Sequence, residues 1–340
     1  KIGSLFFAIP GTQVDGHQFL SQVYAQGCKA WLVQDIPADV PNDVTCIQVG
    51  DSNAALAKVS CAFYEHPSSK LNLIGITGTN GKTTSVTLLF ELFKKLGHRC
   101  GLISTVQNMI QDRVIPATHT TPDALNLNRL LAEMLSNGCS HVFMEVSSHG
   151  IHQKRTESLR FEGGVFTNLS HDHLDYHETF AEYRDVKKSF FDGLSKSAFA
   201  ITNIDDKNGE IMLQNTLARK RTYALKTYAD FKAQILENQL SGLLLKINDN
   251  EVWVRLIGTF NAYNLLAIYG TAIELGLESL EILRLLSELE SVSGRFQYII
   301  SNGKITAIVD YAHTPDALEN VLKTINDIRT KNEQLITVVG

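Results

Sequence analysis

Residues 71–84 read Leu71-Asn72-Leu73-Ile74-Gly75-Ile76-Thr77-Gly78-Thr79-Asn80-Gly81-Lys82-Thr83-Thr84, and the next turns place Val86, Leu89, Phe93 and Leu96 at helical spacing. An apolar run, a glycine-rich turn and an amphipathic helix in that order predict a strand feeding a helix N-terminus. Such a junction suits phosphate: glycines let backbone N–H groups approach closely, and the helix end adds a positive dipole. Lys82 can reach β- and γ-phosphates, and the Thr83 hydroxyl can bind Mg²⁺. Gly78, Thr79, Asn80, Gly81 and Thr84 complete the expected cradle. The usual pattern G-x-x-x-x-G-K-[ST] puts glycine at position 76, where this chain has Ile76; its glycines stand at 75, 78 and 81. A glycine turn that only caps the helix is the plainer alternative.

Outward from this unit, apolar strand candidates recur at His141–Val146, Gly164–Phe166 and Ala198–Thr202, separated by helical segments. Strand and helix in alternation predict an α/β fold with a central parallel sheet covered on both faces. Asn248-Asp249-Asn250, between Leu243–Ile247 and Val252–Ile257, signals a hairpin. With 340 residues, several domains are expected. Residues 1–69 read as a small N-terminal α/β unit whose start is clipped, 70–296 as the central P-loop ATPase domain, and 297–340 as the beginning of a third, Rossmann-like domain. That last unit shows a strand at Ile305–Asp310, a helix at Pro315–Arg329 and a strand at Leu335–Val339, and is expected to be incomplete at Gly340.

The composition, 44% hydrophobic and 20% charged with a net charge of -5, is that of a globular protein with no general attraction for nucleic acid or anionic membranes. Neither is an expected partner, and an anionic substrate needs a local site. Five cysteines stand singly, as reduced thiols in a cytoplasmic protein would. No apolar run approaches the roughly 18 residues of a membrane span.

Glu145 closes the apolar strand His141–Val146 and is followed by Val146-Ser147-Ser148-His149. A carboxylate at the carboxyl end of such a strand is placed for a hard cation, or for a structural arginine. The next strand leads into Thr167-Asn168-Leu169-Ser170-His171-Asp172-His173-Leu174-Asp175-Tyr176-His177. Its histidines and aspartates suit magnesium beside a phosphate loop, with zinc as the alternative. Lys187 and Lys188, in Tyr183-Arg184-Asp185-Val186-Lys187-Lys188-Ser189-Phe190-Phe191, read by themselves as a solvated helix face.

Gly-Thr-Asn-Gly-Lys-Thr-Thr at 78–84, Glu-Val-Ser-Ser-His at 145–149 and Asp-His-Leu-Asp-Tyr-His at 172–177 together resemble the Mur ligase family, most closely its branch that adds the third stem-peptide residue. The likeness runs from about Gly3 to Gly340. It implies a three-domain architecture and two Mg²⁺ ions held by Thr83, Glu145, His173 and Lys187, the last as an N6-carboxylysine formed with CO₂. Asn168 would lie near the phosphates. Asn261 and Asn264, in Gly258-Thr259-Phe260-Asn261-Ala262-Tyr263-Asn264, would lie on the adenine side, although an asparagine cap explains them equally. Arg295 would reach the γ-phosphate, while Asp310 and His313 would contact nucleotide. Thr120, Thr121, Ser147, Gln153 and Arg155 would hold the muramoyl-peptide, although Thr121-Pro122-Asp123 is also a good helix cap. Gly3–Ala8 and Asp15-Gly16-His17 resemble the unit that takes uridine diphosphate.

The resemblance implies an ATP-dependent amide-bond ligase that joins meso-diaminopimelate or L-lysine to UDP-N-acetylmuramoyl-L-alanyl-D-glutamate through an acyl phosphate. Lys82, Lys187, His173 and Arg295 would be its catalytic residues, and the protein a monomer. The residues that choose the diamino acid are expected beyond Gly340. A folylpolyglutamate synthase-like ligase, a small-molecule kinase and a chain that binds without turnover are the alternatives.

Overall fold

A computed structural model describes residues 3–11, 14–170, 176–177, 179–301, 305–329 and 332–339. The first unit contains β1 (Leu5–Phe7), α1 (Leu20–Ala25), β2 (Ala30–Val33), β3 (Thr45–Gln48) and α2 (Ser52–Phe63). Its strands pair in parallel in the order β1-β2-β3. Ala8, Leu20, Cys28, Trp31 and Val33 form a separate small core. Helix α1 is preceded by a 3-10 turn, Gly16–Phe19, capped by Asp15. Asp51 caps α2 through Ala54 N–H.

The second unit opens with β4 (Asn72–Thr77) and α3 (Lys82–Lys95), followed by β5 (Cys100–Ile103), β6 (Gln107–Ile110), β7 (Arg113–Pro116), α4 (Ala124–Ser136), β8 (His141–Glu145), α5 (Ser148–His152) and β9 (Gly163–Phe166). It continues with α6 (Phe180–Asp192), β10 (Phe199–Asn203), α7 (Gly209–Met212), β11 (Arg219–Ala224), β12 (Phe231–Gln239), β13 (Gly242–Ile247), β14 (Asn250–Val254), α8 (Thr259–Glu274) and α9 (Ser279–Glu288). Its eleven strands form one sheet, ordered β14-β13-β12-β11-β10-β9-β4-β8-β5-β6-β7. From β12 to β5 every pairing is parallel, and at both edges the sheet turns antiparallel. The predicted hairpin is β13–β14, with Asn248 left-handed at φ 51°. Strands β11 and β12 carry no clear strand signal in the sequence. β11 opens on the polar Arg219-Lys220-Arg221, and β12 alternates buried with exposed residues on an edge-directed ribbon.

Side chains divide between the two faces with the period of two that strands impose. Ile74, Ile76, Phe143, Val165, Phe199 and Ile201 pack beneath α3, α8 and α9. Leu73, Val142, Met144, Phe166 and Ala200 pack beneath α4 and α6. Gly75 and Gly164 make room for α6 on that second face: a β-carbon at Gly75 would sit 2.7 Å from Phe190 Cζ. Because β4, β8, β9 and β10 run parallel, their carboxyl ends and following loops converge at one edge.

After residue 296, β15 (Gln297–Ile300) pairs antiparallel with β16 (Thr306–Val309), and α10 (Pro315–Ile328) follows with Thr314 as its cap. Leu335–Val339 corrects the expectation. It joins no ladder, and Ile336, Val338 and Val339 are exposed; apolar β-branched residues make a strand only with a partner edge.

Candidate active site

The loop between β4 and α3 is held from behind by the segment after β9. Asn168 O accepts Thr79 N–H at 2.8 Å, and Asn168 Oδ1 accepts Asn80 N–H at 3.0 Å. The Thr167 hydroxyl and the Asn168 amide donate to Asn80 O at 2.7 and 3.1 Å. Two glycines make this close approach possible. Gly78 stands at φ 147°, where a β-carbon would run into Thr167 Oγ1, and Gly81 at φ 86°, where it would run into Asn264 Oδ1. Lys82 Nζ donates to Gly78 O at 2.9 Å and Thr79 O at 2.8 Å.

Glu145 is completely buried at the end of β8, beside the first turn of α3. Its Oε1 accepts from the Thr83 hydroxyl at 2.9 Å and Thr105 N–H at 2.8 Å, and its Oε2 from the Thr105 hydroxyl at 3.1 Å. The structural-arginine alternative for Glu145 fails, since its partners are threonines. Thr105 was missed by the sequence reading, although it follows strand β5 at the same sheet edge. Its oxygen also lies 3.0 Å from Thr120 Oγ1.

Thr121 is buried and bonds back to the Glu145 strand: its hydroxyl donates to Glu145 O and accepts Ser147 N–H. The cap of α4 is Asp123, which accepts Asn126 N–H, so Pro122 precedes the helix instead of opening it. Ser147 caps α5 through Gly150 N–H. Arg155 donates to Thr121 O at 2.6 Å and, through Nε and Nη2, to Gln153 Oε1 at 3.0 and 2.6 Å. Gln153 Nε2 donates in turn to the Tyr176 hydroxyl. Burial pulls the Arg155 guanidinium below its ordinary value, opposed by Asp123 and Tyr176.

The solvated-face reading of the two helix lysines fails for both, in different ways. Lys187 is 1% exposed, donates to Gly78 O at 3.1 Å and lies over the Tyr183 ring. Lys188 pairs with Asp192, its Nζ 2.7 and 2.8 Å from the carboxylate oxygens. Gly78 O therefore accepts two ammonium groups, from Lys82 and Lys187. Tyr183 adds its hydroxyl to Thr79 Oγ1 at 3.1 Å.

At the end of the central unit, Arg295 Nη2 donates to Thr83 Oγ1 at 3.2 Å while its guanidinium lies over the ring of Tyr311 from the third unit. Asp310 accepts Phe296 N–H at 2.7 Å; burial raises its carboxyl above the usual range, opposed by the Phe296 and Ala312 amides and by Arg295. His313 Nδ1 meets Tyr311 O at 2.9 Å. Asn261 and Asn264 are buried in the first two turns of α8; Asn261 donates to Ile257 O, and Asn264 to Asn261. Asn264 Oδ1 stands against Gly81.

One cavity of about 430 Å³ is lined by Thr79–Thr84, Thr105, Thr120, Thr121, Glu145, Ser147, Arg155, Lys187, Arg295 and His313, joining the expected phosphate, metal and substrate residues. Gly78, Asn168, Gln153, Asn261, Asn264 and Asp310 support that lining from behind. Asp15 and His17 of the first unit are joined to one another, and His17 Nε2 accepts Gln34 N–H at 3.1 Å.

His173, expected as a metal ligand and catalytic residue, lies outside the described residues together with His171, Asp172, Leu174 and Asp175. Among the described residues no three His, Cys, Asp or Glu side chains gather as a metal site. Glu145, Thr83 and Thr105 nevertheless offer an all-oxygen set, which fits Mg²⁺, an ion that takes one or two carboxylates and keeps waters and phosphate oxygens.

A second group was also missed. Asp205 accepts from Leu225, Lys226 and Thr227 N–H and from the Thr227 and Tyr263 hydroxyls. Burial alone would raise its carboxyl, but these donors hold it down at about 2. Neighbouring Asp206 accepts Leu169 N–H at 2.8 Å, and Asn203 donates to Thr167 O, so the turn after β10 fixes the segment that fixes the loop.

Comparison with known proteins places this geometry. The Mur ligase middle domain matches residues 76–272, and the Mur ligase, glutamate ligase domain matches 294–340. The UDP-N-acetylmuramoyl-L-alanyl-D-glutamate--2,6-diaminopimelate ligase of Cytophaga hutchinsonii is 53% identical over 339 residues, covering 99% of this chain and 70% of its own. Its Bacteroides fragilis counterpart is 52% identical over 338 residues, again 99% and 70%. A solved structure of a ligase of the same name superposes with a TM-score of 0.82 at 28% identity, covering 97% of this chain and 69% of that one.

Proposed function

The chain belongs to the Mur ligase family, and from that premise we propose that it is the ATP-dependent ligase that joins 2,6-diaminopimelate to UDP-N-acetylmuramoyl-L-alanyl-D-glutamate in cytoplasmic peptidoglycan precursor synthesis. The observation that carries this reading is the shared cavity, in which the Lys82 loop, the Glu145–Thr83 pair and the Thr120–Thr121–Arg155 group face the same space. The ligases named above carry that substrate pair in their names.

In this reading residues 1–69 take the uridine diphosphate end, 70–296 take ATP, and 297–340 belong to the domain that closes on it. Lys82 leaves its two loop carbonyls for β- and γ-phosphate oxygens, and Arg295 meets the γ-phosphate from the opposite side. Arg155 offers a carboxylate two parallel N–H donors, while Thr120, Thr121, Ser147 and Gln153 fix the peptide beside it. Thus held, a D-glutamate carboxylate oxygen bonds to the γ-phosphorus as the bond to ADP breaks, giving an acyl phosphate. The amine of the diamino acid then attacks the acyl carbon, phosphate leaves, and the amine loses a proton. Asn168, Asn261 and Asn264 act from behind by holding the loop in shape. Glu145, Thr83 and, as a carbamate, Lys187 would hold Mg²⁺ together with His173, and two such ions would supply charge neutralisation for the transferring group. Asp310 and His313 would contact the nucleotide. We take the protein to act as a monomer; no helix among the described residues is long and apolar enough to cross a membrane.

The test is phosphate release from ATP and Mg²⁺ with the UDP-muramoyl-dipeptide, in parallel reactions containing meso-diaminopimelate, L-lysine or no amine. Release requiring both the nucleotide sugar and diaminopimelate is expected. Release with lysine alone would replace the amine in this assignment. A stable phosphorylated product without amine would make the chain a kinase.

A further inference from the structure

The loop that carries Arg155 leaves α5 through a Schellman turn: Arg155 N–H donates to Gly150 O at 2.8 Å, and Lys154 N–H to Ile151 O at 2.9 Å. This turn requires a left-handed residue at Lys154, a position usually filled by glycine. Lys154 occupies it at φ 53°. Four residues on, Ser158 is also left-handed, at φ 67°. Non-glycine residues keep such conformations only where the surroundings hold them, and they concentrate near functional sites.

What holds them comes from another part of the fold. Lys154 Nζ lies 3.0 Å from Asp51 Oδ2, at the N-terminus of α2 in the first unit. The Cys61 thiol, near the other end of α2, donates to Ser158 O at 3.4 Å. One helix of the first unit therefore grips both ends of the short segment that carries the carboxylate clamp, Arg155, next to the Lys154 end. A glycine at 154 would satisfy the turn with less strain but could not reach Asp51.

We propose that α2 is a positioning element for substrate, with Asp51 and Lys154 as positioning residues that set Arg155 toward the acceptor carboxylate. The first unit then acts on the peptide end as well as the nucleotide end of the sugar-peptide. This rests on the reading of Arg155 as the acceptor clamp.

The experiment measures calorimetric binding of UDP-N-acetylmuramoyl-L-Ala-D-Glu, with UDP-N-acetylglucosamine, which has no carboxylate, as control, alongside melting temperature. Lys154→Gly and Asp51→Asn, which keeps a capping side chain, should each weaken dipeptide binding by about fivefold, the upper range for one such ion pair. Control binding should stay unchanged, Lys154→Gly should melt no lower than the parent, the double variant should be no worse than either single one, and Lys154→Arg should restore binding. A purely structural tie would instead lower the melting temperature without separating the two ligands. Unchanged dipeptide binding in Lys154→Gly and Asp51→Asn, with Arg155→Ala weakened, overturns the proposal. Arg155→Ala binding as tightly as the parent would sink the clamp reading itself.

Discussion

The Thr83 hydroxyl donates to Glu145 Oε1 across 2.9 Å, so the first turn of the phosphate-loop helix is tied to a completely buried carboxylate 62 residues away in sequence. The partners explain how a carboxylate survives in so apolar a strand: both its oxygens are hydrogen-bonded, and the donors are hydroxyls and an amide that a cation could replace or join.

Glu145→Gln keeps the shape and removes the charge. The expected result is phosphate release at least about 100-fold slower at fixed Mg²⁺, the scale seen when groups around a metal are altered, with the saturating Mg²⁺ concentration moved upward. A magnesium titration of turnover checks this; an unchanged titration curve would remove Glu145 from the metal site.

The unequal surroundings of the adjacent lysines give a spectroscopic prediction. Only Lys187 points into the loop, whereas Lys188 is taken by Asp192. With ¹³C-bicarbonate, a carbamate resonance should appear in the parent protein and in Lys188→Ala, and vanish in Lys187→Ala. Persistence in Lys187→Ala would assign the modification elsewhere.

Gly81→Ala should damage the loop from within. Its φ of 86° is strained for alanine, and the new β-carbon would displace Asn264 Oδ1. A cost on the order of 1–3 kcal/mol predicts binding of a non-hydrolysable ATP analogue weakened by about tenfold or more. Asn264→Ala in the same chain relieves the collision but not the backbone strain, so recovery should be partial; full recovery would mean that the dihedral angle is harmless.

At the opposite edge of the sheet, burial lowers the His141 imidazole to about 4, with His98 nearby adding to the effect. Its ring nitrogens meet Ser140 Oγ at 2.9 Å and Asn72 Nδ2 at 3.1 Å. The unfolded chain binds this proton at about 6.5 and the folded chain only near 4, so the contribution is full above pH ~6.5 and declines as pH falls toward 4. His141→Gln should flatten that part of a urea-denaturation pH profile by about 3 kcal/mol. A slope unchanged by the substitution would assign the acid sensitivity to other groups.

The loop and the buried carboxylate at the end of β8 were legible because their chemistry is local: glycines, a lysine and a threonine in a row, and one charge in an apolar strand. Gly78 and Gly81 needed only the loop's backbone demands. Thr105 and Asp205 were not legible, since a threonine or aspartate after a strand looks ordinary until the sheet order puts β5 beside β8 and the turn after β10 beside β9 and β11. The choice of Lys187 over Lys188 rested on resemblance, and its burial became visible only when α6 was laid across Gly75 and Gly164. Leu335–Val339 misled because apolar β-branched composition signals a strand without saying whether an edge exists to receive it.

Gly78 O receives the ammonium groups of both Lys82 and Lys187. Carbamylation would take Lys187 off this carbonyl, but Lys82 keeps its charge in the loop, resting on peptide carbonyls that stand where phosphate oxygens would stand. Nucleotide entry becomes a substitution of one set of oxygen acceptors for another, and observed affinity measures the difference between the two. A change that weakens the lysine's grip on its own backbone could thus tighten nucleotide binding without touching the nucleotide.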